Sequence, residues 1–107
     1  MNNKKFGSTM RKGFHMTFEN GLTVSVQWGA GNYCDNHFPE DADFSCRKDA
    51  YSDTAEMAVM YKREFIDIEQ FLPEGHHSDG TVAGWLSPED VLYVMNKVQA
   101  FNLNMEV

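Results

Sequence analysis

From Phe14 to Val26 apolar and polar residues alternate on both sides of an Asn20-Gly21 pair, F-H-M-T-F-E-N-G-L-T-V-S-V, which predicts two strands folded back as a hairpin. The loop length follows from which residues would face each other. A two-residue Asn20-Gly21 turn sets Phe18 against Thr23 and Met16 against Ser25, mixing apolar with polar on both faces. A three-residue Glu19-Asn20-Gly21 loop sets Phe18 against Leu22, Met16 against Val24 and Phe14 against Val26, and gathers His15, Thr17, Thr23 and Ser25 on the other face. Gly21 then takes the left-handed position such a loop needs. The result is one oily face, to be covered by something else, and one polar face.

A second hairpin is predicted in A-E-M-A-V-M-Y-K-R-E-F-I-D-I-E-Q-F. Pairing Tyr61 with Ile66 and Val59 with Ile68 puts all four on one face and leaves Glu56, Ala58, Asp67 and Glu69 on the other. The connection Lys62 to Phe65 lacks Gly and Asn, which favours a four-residue loop built on a type I turn. After the irregular stretch P-E-G-H-H-S-D-G, the run T-V-A-G-W-L predicts a short fifth strand, with Gly84 marking a bulge or a close approach.

The last element is a helix. Ser87 suits the N-cap, Pro88 the first helical position, and Asp90 the acidic position of a capping box, with Glu89 and Asp90 complementing the positive end of the dipole. Val91, Val94, Met95, Val98 and Phe101 recur at helical spacing, while Asn96, Lys97 and Gln99 face away. An apolar helix stripe and an apolar sheet face need each other. The expected class is therefore α+β: an antiparallel sheet of four to five strands with one C-terminal helix packed on one face. Residues 1–13 read as a flexible N-terminal arm and 14–107 as a single α+β domain.

Between the hairpins lies a polar, turn-rich segment reaching Thr54, with Tyr33, Phe38, Phe44 and Tyr51 spread along it as packing anchors. Connections of this length are uncommon in compact domains and tend to be functional or disordered, and the spread of aromatics argues for a loop that packs on the body. Composition narrows the choices. A net charge of -7 argues against a generic nucleic-acid binder, which would need clustered Lys and Arg, and suits docking on a basic partner. No apolar run approaches the roughly 18 residues of a membrane helix, and the opening M-N-N-K-K-F-G-S-T-M-R-K lacks the apolar stretch of a secretory signal. A cytoplasmic protein is expected, with Cys34 and Cys46 as reduced thiols rather than a disulfide.

Candidate chemistry is sparse. The loop G-A-G-N-Y-C-D-N from Gly29 to Asn36 offers backbone amides near glycines, able to form an anion-binding nest, with Tyr33 placed to stack on a base. A tight turn leaving the sheet is the plainer reading, because no phosphate-loop or dinucleotide spacing is present. Cys34, His37, Cys46, His76 and His77 include enough ligands for zinc, but without a strong spacing, and buried thiols with solvated histidines are the expectation. No metal or other cofactor is therefore assigned. Glu56, Asp67 and Glu69 on one sheet face suggest either acid-base work or, more commonly, a solvated acidic face. Cys34 with His37 resembles a nucleophile pair only in composition. Trp28 and Trp85 each end a strand, as core or rim aromatics, or as the lining of a ligand pocket or of an interface in a homo-oligomer.

The pattern F-x-M-T-F-x-N-G-x-T-V-S-V-Q-x-G-x-G-N-Y-C, carried by Phe14 to Cys34, together with S-D-T-A-E-M-A-V and G-W-L-S-P-E-D-V, resembles small accessory proteins of tailed bacteriophages and prophages. The resemblance covers most of the chain beyond residue 13. It implies a context, the host cell cytoplasm, in which such proteins bind host enzymes or sequester nucleotide signals of bacterial immunity. The leading expectation is thus a non-enzymatic, anti-defence binding protein holding a small anionic ligand such as a signalling nucleotide. Gly29, Gly31, Asn32, Tyr33 and Asn36 would form the pocket, and Arg47 and Lys48 would offset phosphate. The rival is an acidic protein that inhibits a host protein by occupying its basic site. An enzyme ranks third and a virion component fourth.

Overall fold

The computed structural model describes residues 4–9, 12–29, 31–36 and 51–103. Among them six strands form one antiparallel sheet: β1 (Phe6–Ser8), β2 (Gly13–Thr17), β3 (Leu22–Gln27), β4 (Ala55–Tyr61), β5 (Glu64–Ile66) and β6 (Val82–Leu86). A single helix, α1 (Pro88–Ala100), follows β6. The expected class, an antiparallel sheet with one C-terminal helix, is the one observed.

The first hairpin has the register that its alternation predicts. Met16 faces Val24 and Phe14 faces Val26, the Phe18 N–H donates to the Leu22 carbonyl at 2.9 Å, and Gly21 has φ +91°. Its oily face is closed by α1: Leu22, Val24 and Val26 of β3 and Met57 and Val59 of β4 are buried with Val94 and Val98 of the helix, and with Ile68, Phe71 and Leu86. Burying a side chain of this kind contributes about 1.5–3 kcal/mol, so this contact holds the helix to the sheet far more firmly than helix propensity would. The helix start matches its sequence signals, with Ser87 and Asp90 forming a reciprocal capping box at 3.1 Å in each direction.

The second hairpin departs from expectation. Tyr61 pairs with Glu64 and Val59 with Ile66, so the turn is the two-residue Lys62-Arg63, with φ of 51° and 72°. The four-residue loop placed Ile66 opposite Tyr61, two positions away from the observed register. A shift of two leaves every side chain on the same face, and the apolar pattern therefore did not distinguish the two pairings. Ile68 still reaches the core, but from the segment before a 3-10 turn (Glu69–Phe71), outside the strand.

Two further features sit outside the expected outline. Within the stretch read as an arm, Phe6–Ser8 adds an edge strand to β2, with Phe6 opposite Met16. β4 has β3 along one edge, while β5 and β6 share the other, β6 facing residues Ala55 to Ala58. The β4–β6 register shifts between Ala55 and Met57, and Trp85 carries φ 51° there, which is the irregularity that Gly84 foreshadowed.

Candidate functional site

The loop after β3 folds back across the end of β4. Its amides turn inward. The Glu56 carboxylate accepts the Asn32 side-chain amide through Oε1 and the Tyr33 backbone N–H through Oε2, both at 2.9 Å. The Gly29 N–H donates to Asn32 Oδ1 at 2.9 Å and the Asp35 N–H to Thr54 Oγ1 at 2.9 Å. The Asn32 and Cys34 N–H groups donate to the Gly29 and Asn32 carbonyls at 3.1 and 3.0 Å. The loop's donors are thus met internally by several different acceptors, and the protein's own Glu56 takes one backbone amide and one side-chain amide of them. Nothing within the loop signals this, because the acceptor lies on another strand.

Tyr33 is likewise engaged. Its ring stacks on Trp85 with centroids 5.8 Å apart and planes 28° from parallel, and its carbonyl accepts the Trp85 N–H at 2.8 Å. The loop backbone approaches β6 so closely that a Cβ on Gly84 would lie 2.6 Å from Tyr33 Cβ and 2.9 Å from its carbonyl oxygen. That approach is what the glycine permits. Both rings remain about half exposed, Tyr33 at 47% and Trp85 at 52%.

Asn36 ties the two ends of the intervening segment. Its Nδ2 donates to the Trp28 carbonyl at 2.8 Å and the Tyr51 carbonyl at 2.7 Å. Gly29, Gly31, Asn32, Tyr33 and Asn36 thus belong to one loop, whereas Arg47 and Lys48 lie outside the described residues. Beside this loop runs an open cleft of about 620 Å³ lined by Trp28, Asp35, Asn36, Tyr51, Ser52 and Asp53. Among the described residues it has two carboxylates and no cation. A second, apolar cleft of about 250 Å³ shares Trp28, Ser52 and Asp53 and continues under the first half of α1, along Leu86, Val91, Leu92 and Met95. Tyr51, at the rim of the first cleft, is 73% exposed.

The catalytic alternatives find little geometry. Glu56 holds the loop, Asp67 Oδ1 accepts the Glu69 N–H at 2.9 Å, and Glu69 accepts Ser78 through both its backbone and hydroxyl donors. Glu56 thus serves the loop after β3, while Asp67 and Glu69 both serve the 3-10 turn and the segment packed on it. Cys34 is buried, its Sγ 3.5 Å from the Gly29 carbonyl. Burial pushes its thiol pKa up, against hydrogen bonds from the Asn36 backbone and the Ser52 side chain that pull it down, leaving a protonated and weak nucleophile at neutral pH. His76 lies 3.4 Å from Asp90 and His77 3.6 Å from Glu69, so the adjacent histidines diverge to different carboxylates. No group of three metal-ligating side chains occurs among the described residues, and His37 and Cys46 lie outside them. Among the described residues no helix is long and apolar enough to cross a membrane.

Compared with known proteins, the chain matches no protein-family model, no curated protein and no solved structure.

Proposed function

We propose that this is a non-enzymatic binding protein whose acidic, aromatic-rimmed face around Trp28, Asp35, Tyr51 and Asp53 occupies a basic site on another protein. The observation that carries this reading is that the loop's amides are met within the protein, Glu56 accepting from the Tyr33 N–H and Asn32 Nδ2, and Thr54, Asn32 and Gly29 supplying the other acceptors. With those amides satisfied internally, the charged groups that line the neighbouring cleft among the described residues are the carboxylates of Asp35 and Asp53, and no side-chain partner of either is seen among those residues. Such a face attracts cations and repels phosphates. The net charge of -7 acts in the same sense at longer range. The geometry therefore favours the acidic-surface reading over a pocket for a signalling nucleotide. The resemblance to phage accessory proteins makes a host protein the partner class to seek.

The test compares wild type with the double charge reversal Asp35→Lys, Asp53→Lys as baits in bacterial lysate, with melting temperatures measured to verify folding. A partner captured by wild type, released by salt and lost with the reversal supports the proposal, since contacts between exposed charges are screened beyond roughly 8–10 Å at physiological salt. In parallel, a panel of linear and cyclic nucleotides is screened by thermal shift. A nucleotide that raises stability by about 2.7 kcal/mol at one hundred times its dissociation constant would overturn the proposal in favour of the ligand pocket.

A further inference from the structure

We infer that the apolar cleft beneath the first half of α1 receives a large apolar side chain of a basic peptide segment, whose neighbouring Lys or Arg meets Asp53 and Asp35. This rests on the proposed acidic binding face and specifies what that face reads.

The two clefts form one continuous surface, because Trp28, Ser52 and Asp53 line both. They differ in polarity, the cleft beside the loop being the more polar of the two. One is walled by Val26, Trp28, Leu86, Val91, Leu92 and Met95. The other carries the Asp35 and Asp53 carboxylates. Size decides what fits the first. At about 250 Å³ it falls below the roughly 300–1,000 Å³ of pockets that enclose a whole small molecule, while a single bulky side chain needs less room than a ligand. Charge decides what must accompany that side chain. Asp53 stands where the two clefts meet, so a cation one or two residues from the anchor reaches a carboxylate with no charged partner among the described residues. Leu92, 59% exposed on the helix, forms the outer lip and has no core role that would explain an aliphatic residue there. An aliphatic or aromatic anchor in a pocket, beside a charged rim, is the usual arrangement where a few residues dominate binding.

The experiment pans a displayed library of random peptides against the intact protein, then resynthesises the enriched peptides for titration. Enriched peptides are expected to carry Leu, Met, Phe or Trp within two residues of Lys or Arg. Replacing that anchor by Ala, or Leu92→Gln in the protein, should weaken binding at least about tenfold. Asp53→Asn should weaken it too, and flatten its salt dependence. The peptide replacements are read on wild type, so they hold even if a protein variant folds poorly. Basic peptides that bind equally well without the anchor and to Leu92→Gln would overturn the cleft while leaving the acidic-face reading standing. Enrichment of no basic peptide would overturn both. A wild-type dimer at micromolar concentration that Leu92→Gln dissolves would assign the cleft to a second copy of this chain and overturn the peptide.

Discussion

Glu56 Oε2 accepts the backbone N–H of Tyr33 at 2.9 Å, while its other oxygen takes the Asn32 side chain. One carboxylate on β4 thereby anchors the loop after β3, which in turn supports the Tyr33–Trp85 stack. Hydrogen bonds to a charged group contribute about 1.5–3 kcal/mol each, reduced here because the site is partly exposed to water. Glu56→Ala should cost about 1–3 kcal/mol and lower the melting temperature by roughly 4–8 °C per kcal/mol. Amide exchange at Tyr33 and Trp85 should accelerate ahead of that in β3. Uniform loss of protection across the sheet would show that Glu56 does not act through the loop.

Asn20 reaches across the molecule to α1. Its Nδ2 donates to the carbonyls of Val98 at 2.8 Å and Phe101 at 2.9 Å, and its Oδ1 accepts the Leu22 N–H at 3.0 Å. The hairpin loop thus adds a donor at the helix end, where carbonyls run out of full intrahelical pairing; the Val98 carbonyl also accepts the Phe101 N–H at 3.2 Å. Asn20→Asp keeps the acceptor for Leu22 but turns a carboxylate toward the negative end of the helix. It should destabilise by about 1–3 kcal/mol at neutral pH, and acidification to protonate the new carboxyl should recover part of the loss. Equal melting temperatures for the variant and wild type at neutral pH would refute the cap.

The Lys62-Arg63 turn holds two side-chain-bearing residues at φ 51° and 72°. This left-handed conformation costs roughly 1–2 kcal/mol per residue for most amino acids, whereas Asn and Gly suit it. Lys62→Asn with Arg63→Gly relieves that strain while giving up the Lys62 ammonium's place over the Tyr61 ring at 5.3 Å and the contact Arg63 makes. After these losses and the glycine's entropy cost, the double variant should be more stable by about 1 kcal/mol. Chemical denaturation reads this directly. A lower midpoint for the double variant would favour the four-residue loop over the observed turn.

Cys34 makes stability fall on the alkaline side. Its folded-state pKa is raised, chiefly by burial, so the unfolded chain gives up the thiol proton first as pH rises. The thiol's stabilising contribution is intact below its ordinary value of about 8.5 and is lost as pH climbs toward the folded value, at up to about 1.4 kcal/mol per pH unit. Denaturation midpoints taken above and below that value should converge in Cys34→Ala relative to wild type. On the acid side the signs reverse. Glu69 is held low by the Ser78 hydroxyl and N–H, and Asp79 by the Val82 and Thr81 N–H groups. Their contribution is present above the ordinary carboxylate range and is lost as pH falls through the depressed values, so Glu69→Gln with Asp79→Asn should flatten the acid limb.

What the sequence by itself determined was local. Alternation on either side of Asn20-Gly21 specifies the first hairpin down to its register, because any slip by one residue would turn Val24 and Val26 out of the core. Ser87, Pro88 and Asp90 specify where α1 begins, since capping involves neighbours in the chain. Tertiary structure decided the rest, wherever the partner of a group lies far along the chain or where two registers share one pattern. The two-residue Lys62-Arg63 turn preserves the same faces as the longer loop, so burial pattern alone was blind to it. The glycine-flanked loop announces donors, but only the fold brings Glu56 to them, and only the fold joins Trp28 to Asp53 and Leu92 in one cleft. A chain segment can advertise unsatisfied groups; which group satisfies them is a property of the three-dimensional packing.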